Sequence, residues 1–126
     1  GLRGDPAGVH EDLKDVIRAP ILDDGSLGDW VTVGELPAKL GTHSSIAHLG
    51  YLYVFGGVEN NASNTAHVRR AAIGKDGMLG AFEDLPPLPK AHAHVHHTPF
   101  HAGFVYSAGG ALNHKSVTDV FVGRFE

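Results

Sequence analysis

The chain has 126 residues, 42% hydrophobic and 19% charged, a balance typical of one folded domain rather than a disordered segment. Its formal net charge is -4 and its nearest approach to a basic run is Arg69-Arg70, which argues against a nucleic-acid partner; no stretch approaches the roughly 20 apolar residues that span a bilayer. The absence of cysteine excludes disulfides, thiol catalysis and thiolate metal sites, and ten histidines are the compositional anomaly.

The first residues, Gly1-Leu2-Arg3-Gly4-Asp5-Pro6, do not read as a signal peptide. Arg3-Gly4-Asp5 spells an adhesion tripeptide, but Gly4-Asp5 falls where the repeat described next puts a glycine doublet, so it reads as repeat drift. Asp24-Gly25-Ser26-Leu27-Gly28-Asp29-Trp30 returns about 52 positions later as Asp76-Gly77-Met78-Leu79-Gly80-Ala81-Phe82. Leu36-Pro37 returns as Leu88-Pro89, and Gly50 to Gly57 as Gly103 to Gly110. In the middle unit, strands are expected over Thr42 to Leu49, Tyr51 to Phe55, Thr65 to Ile73 and Ala81 to Leu85. Each Asp-Gly pair suits a hairpin turn with positive φ between the third and fourth strands. The doublets Gly56-Gly57 and Gly109-Gly110 end second strands, where missing side chains let the chain bend or another backbone approach. The next unit restarts near His94 and closes with a third strand over Thr118 to Phe125.

In the second strand Tyr51, Tyr53 and Phe55 fall on one face and Leu52 and Val54 on the other. A sheet apolar on both faces must be stacked between others, as a four-stranded propeller blade is. The expected fold is therefore all-β, with blades of four antiparallel strands forming an incomplete ring in a single chain. Residues 1–34 supply third and fourth strands, 35–87 a full blade, and 88–126 first to third strands. Propellers close with at least four blades, so other chains or further blades are needed for closure. The extra third strand would support pairing with a neighbour if Val120 and Val122 lay on an exposed edge.

The motifs Leu52-Tyr53-Val54-Phe55-Gly56-Gly57, Val105-Tyr106-Ser107-Ala108-Gly109-Gly110, the two Asp-Gly-x-Leu-Gly-x-aromatic segments, and Leu36-Pro37 followed by Lys39 and His43-Ser44 resemble the kelch repeat in its bacterial form. The resemblance spans essentially the whole chain and departs from the pattern at Phe82 and at His94 to His97. It implies a β-propeller, a periplasmic or cell-surface location, and a non-catalytic binding or scaffold role toward a protein or glycan. Two alternatives stay open, a structural subunit of a multi-chain assembly and a sugar-acting enzyme such as a cofactor-free sialic-acid epimerase. The copper oxidases of the family need a Tyr-Cys crosslink, and this chain has no cysteine.

Strand reversal places the fourth-to-first and second-to-third connections on one side, giving a polar rim of Glu59, Asn60, Asn61, His92, His94, Asn113 and His114. On a continuous strand His92, His94 and His96 would share a face and converge on a divalent metal. His96 and His101 are repeat partners of His43 and His48, which favours structural roles for those four, and no cofactor is otherwise indicated. Asn61-Ala62-Ser63 is a glycosylation sequon that matters only in a eukaryotic secretory pathway. The carboxylate pairs Asp23-Asp24 and Glu83-Asp84 lie in or beside the opposite turns, and Ser44-Ser45 lacks a nucleophile-elbow motif, so no catalytic residue is assigned.

Overall fold

The computed structural model describes residues 2–4, 6–8 and 10–125, so Asp5 of the Arg3-Gly4-Asp5 tripeptide lies outside the described residues. Short extended segments bounded by Gly, Pro, Asn and Asp give an all-β structure with no helix among those residues. The first unit supplies β1 (Leu2–Gly4) paired with β2 (His10–Asp12), then β3 (Asp15–Arg18) paired with β4 (Val31–Glu35). The middle unit supplies β5 (Leu40–Gly41), β6 (Ser44–His48), β7 (Tyr51–Phe55), β8 (Val58–Glu59), β9 (Ser63–Asn64), β10 (Val68–Ala72) and β11 (Glu83–Leu85). The last supplies β12 (Phe100–His101), β13 (Phe104–Ala108), β14 (Ala111–Leu112), β15 (Lys115–Ser116) and β16 (Val120–Arg124).

The middle unit forms a four-stranded antiparallel sheet in the order β11-β10-β7-β6, with β8 and β9 inserted between the paired β7 and β10. The last unit forms the three-stranded sheet β12-β13-β16. All strand pairs are antiparallel, in several small sheets, and none closes into a barrel. Past the glycine doublets the second strand runs on as a short hairpin, β8-β9 in one unit and β14-β15 in the next.

Alternation in β7 decides the packing. Tyr53 (5% exposed) and Phe55 lie in one cluster with Val68 of β10 and Val105 of β13, flanked by Leu88 and Phe125. Val54 (4% exposed) lies in another with Leu36 and Leu40, flanked by Val16 of β3 and Phe82. The middle sheet is thus covered on both faces, and each such buried side chain contributes about 1.5–3 kcal/mol of transfer free energy. The outer units lack one cover. Large apolar side chains are exposed at Ile17, Ile21, Leu22, Leu27, Trp30 and Val31 in the first, and at Phe100, Phe104, Val120 and Val122 in the last.

The repeat is kept in backbone hydrogen bonds as well as in residue types. Leu22 N–H donates to Ser26 O, Gly25 N–H to Leu22 O and Gly28 N–H to Pro20 O; Gly74 to Met78, Gly77 to Gly74 and Gly80 to Ala72 are the same three bonds one unit later. Asp24 and Asp76 each accept from the backbone N–H two residues on, at 2.9 and 3.0 Å. Gly25 and Gly77 have φ of +82° and +76°, as the hairpin expectation requires.

Four expected strands are trimmed, Thr118 to Phe125 to β16 among them. Thr65 to Ile73 begins only at Val68, because Thr65 N–H bonds Gly57 O and the chain bends before β10 starts. Ala81 to Leu85 shortens to β11, because Gly80 N–H is still engaged by the turn at Ala72 O. Thr42 to Leu49 shortens to β6, because Thr42 and Leu49 sit at φ of +51° and +46°, outside the extended region.

Candidate binding rim

The rim is built by the hairpins that continue each second strand. Gly56 and Gly57, with φ of +56° and +105°, kink the chain out of β7, and Gly57 N–H then donates to His92 O in the next unit. A Cβ on Gly57 would meet Gly41 O at 2.6 Å, so a close backbone approach fixes glycine there. Beyond the kink β8 pairs with β5, setting Leu40 opposite Glu59, and Ala93 bridges Ala111 in the same way in the last unit. The fourth-to-first and second-to-third connections therefore do meet at one end.

The tips themselves are clasped to their neighbours. Asn60 and Asn61 (φ +54° and +55°) and Asn113 and His114 (φ +50° and +63°) form matching left-handed turns, all four exposed. Asn60 N–H donates to Lys39 O at 2.9 Å. Asn61 and Asp12 bond each other reciprocally: Asp12 N–H to Asn61 Oδ1 at 2.8 Å, and Asn61 N–H to Asp12 Oδ2 at 3.0 Å. One unit later Asn64 plays the Asp12 part, accepting from Asn113 N–H at 3.3 Å and donating to Ala111 O at 3.1 Å. These side-chain clasps between hairpins separated by about a repeat hold the row of tips rigid.

Glu59 anchors a charged cluster that sequence reading missed. Arg69, on β10 and only 7% exposed, donates Nε–H to Asp84 at 3.0 Å, Nη1–H to Glu59 at 3.3 Å and Nη2–H to His67 Nδ1 at 2.7 Å. A guanidinium only donates and a carboxylate only accepts, so His67 Nδ1 accepts from Arg69 in one tautomer and donates to Glu59 in the other. Glu59 Oε2 lies 3.0 Å from the same Nδ1. Burial raises the Glu59 pKa, but the hydrogen bond with His67 and the Arg69 charge outweigh it and hold the carboxyl below its usual range. Glu83 and Asp84 are exposed, as expected, but lie on β11 rather than in a turn, where Glu83 pairs with Arg70 and Asp84 with Arg69. The available signal was Arg69-Arg70 facing Asp84-Glu83 across a predicted hairpin.

The histidine segment departs from expectation. Residues 94–99 are not a strand, and His94 has φ of +58°, matching Thr42 in the preceding unit, so alternation does not apply. His92 is 3% exposed, with Nε2–H donated to Gly109 O and its ring edge-on to Phe121 at 5.4 Å. It is a buried packing residue between hairpins and leaves the rim. Its Nδ1 is buried without a hydrogen-bond partner, and burial lowers its pKa, Asp119 opposing. His94 and His96 stay exposed with ring centroids 6.3 Å apart. His92, His94 and His96 do not converge, and no group of three potential ligands among the described residues is arranged to hold a metal.

A cleft of about 320 Å³ opens beside the rim-supporting sheets, walled by Phe55, Leu88, Thr98, Val105 and Phe121. No helix of the described residues is long and apolar enough to cross a membrane. Compared with known proteins, the chain matches no family model and no curated sequence.

Proposed function

We propose that this chain is part of a kelch-like β-propeller and serves as a non-catalytic binding module, presenting the rim of Glu59, Asn60, Asn61, His94, Asn113 and His114 to a protein or glycan partner. The observation that carries the reading is the clasped row of hairpin tips, in which Asp12 to Asn61 and Asn64 to Asn113 fix exposed left-handed turns side by side. Rigid tips carrying amide and imidazole groups favour binding because little ordering entropy is lost on contact. Of the two partner classes, the exposed amides of Asn60 and Asn113 suit hydroxyl-rich ligands, which they can meet with donor and acceptor together. The test is an oligosaccharide array followed by amide chemical-shift mapping with any sugar that binds. Shifts confined to 59–62, 94–97 and 113–116 support the reading; shifts confined to the opposite hairpins 22–27 and 74–79 sink it.

A sugar-acting enzyme is favoured by one observation, the Glu59 carboxylate 3.0 Å from an exposed imidazole and beside Arg69. That arrangement offers a proton acceptor and donor at one end of the sheet. An anomer-exchange assay on sialic acid, followed by proton NMR, decides it: no acceleration over buffer removes the enzymatic reading.

A further inference from the structure

We infer that this rim binds a polyanionic glycan, one with carboxylates repeated along its chain, in mildly acidic solution and releases it near neutrality. The inference deepens the binding-rim reading and rests on it.

Six of the ten histidines stand exposed at this one end: His10, His67, His94, His96, His97 and His114. The contacts that build the rim also line them up. His10 O accepts from Asn61 Nδ2–H at 3.3 Å, and His94 N–H donates to Thr42 O at 2.9 Å. His114 shares its left-handed tip with Asn113, whose N–H reaches Asn64. Two further histidines are withdrawn from solvent, His92 fully and His43 in part, and burial lowers the pKa of each. The last two, His48 and His101, lie at the far end, opposite Tyr51 and Phe104 beside the Gly50 and Gly103 turns.

The fixed charges around the exposed rings nearly cancel. Lys14 pairs with Glu35 at 2.7 Å, Lys39 with Glu11 at 2.5 Å, Lys90 with Asp119 at 3.0 Å, and Arg69 with both Glu59 and Asp84. Glu11 also lies opposite Arg3 in the β1–β2 register, and Asp12 is held by Asn61. Asp15 and Lys115, both exposed, add one charge of each sign. The charge of this end is therefore set by its imidazoles, the side chains that gain a proton between about pH 8 and pH 5. Of the six, His67 faces Glu59 at 3.0 Å, whereas the other five have no carboxylate partner among the described residues and leave their charge for a ligand.

A row of imidazolium groups on rigid tips suits an anion that recurs along a chain. The Asn60 and Asn113 amides among them suit the hydroxyls that a glycan carries between its carboxylates. A carboxylate with an ordinary pKa of about 4 stays ionised to about pH 5, so mild acid charges the protein and spares the ligand. The opposite hairpins carry Asp23, Asp24 and Asp76 against Lys75 and repel the same chain.

The experiment is titration of the 126-residue chain with oligogalacturonate, followed by amide chemical shifts at about pH 5.5 and about pH 7.5 and one ionic strength. The expected result is binding at the lower pH that is about tenfold or more weaker at the higher, with shifts confined to 59–62, 94–97 and 113–116. His94→Gln and His114→Gln, both at exposed sites, should each weaken acidic binding by about 2- to 5-fold, the scale of one exposed charge pair. His101→Gln removes the same charge from the far end and should bind as wild type. Equal affinity at the two pH values overturns the inference, and so does equal weakening in His101→Gln, which would trace attraction to the net charge of the whole chain. Polyglutamate binding as tightly as oligogalacturonate also overturns it, because the hydroxyls then count for nothing and the partner is an acidic protein. No binding of oligogalacturonate at either pH overturns the inference alone, leaving the rim reading to the neutral sugars of the array. Shifts confined to 22–27 and 74–79 overturn both.

Discussion

Asn61 and Asp12 hold each other by their backbones, each side chain accepting the other's N–H across 49 residues of sequence. Asp12 is buried, and Gly41 leaves it room: a Cβ at Gly41 would collide with Asp12 Oδ1. Replacing Asp12 by Ala strands the Asn61 N–H and removes a charge-assisted bond, a loss of about 1.5–3 kcal/mol. Asp12→Asn keeps an acceptor and should cost less than half of that. Urea unfolding of Asp12→Ala, Asn61→Ala and the double variant checks the claim, with additive losses counting against a shared clasp.

A second expectation concerns the glycine kink. Gly57 combines φ of +105° with Gly41 O at 2.6 Å and His43 Cβ at 2.9 Å from any added methyl. Gly57→Ala should therefore cost upward of about 3 kcal/mol, since backbone strain alone is about 1–3 kcal/mol. Gly25→Ala, with nothing within 4 Å of its Cβ, should cost only the strain. Equal losses in the two variants, measured by thermal unfolding, would show that close approach at the kink is unimportant.

The Arg69 cluster gives a third. Arg69 is buried while Glu59 is mostly so, and breaking a buried pair by removing one partner costs about 3–5 kcal/mol. Here Asp84 is exposed and solvates easily, so Arg69→Met should lie at or below the lower end. Neutralising the orphaned carboxylate in Arg69→Met/Glu59→Gln should restore part of the loss. A double variant no more stable than Arg69→Met would mean that Glu59 is already well solvated. Glu59 alone, with its folded pKa lowered, adds stability above the unfolded carboxylate range that disappears as pH falls through the folded value.

What was legible in the sequence is what depends on local periodicity. Tyr51 to Phe55 reads as a strand apolar on both faces and is one, and Asp24-Gly25 and Asp76-Gly77 read as positive-φ turns and are. Both signals need only neighbouring residues. Strand alternation does not run through His92 to His97, because it assumes a continuous strand and a left-handed residue at His94 breaks it. Thr42 at the same repeat position leaves the extended region too, and that departure is equally invisible in composition. Of the rim, the location of the tips followed from strand reversal, whereas the Asp12 to Asn61 and Glu59 to Arg69 contacts did not. Those depend on how units stack and on which side chain reaches across, and no spacing rule encodes either.

The buried imidazoles supply a pH dependence whose sign is fixed. Burial lowers the pKa of His92 and of His43, so both bind fewer protons folded than unfolded below about pH 6.5. Their contribution to stability is complete above that value and is lost as pH falls toward the folded pKa. Unfolding midpoints should thus fall between pH 7 and pH 5, at constant ionic strength, before the carboxylates titrate. His92→Gln keeps a side-chain donor for Gly109 O without a titrating ring, and should flatten part of that slope while lowering stability at pH 7. If the variant keeps the wild-type slope, the acid sensitivity belongs to other groups, and the ring buried against Phe121 does not take up a proton during unfolding.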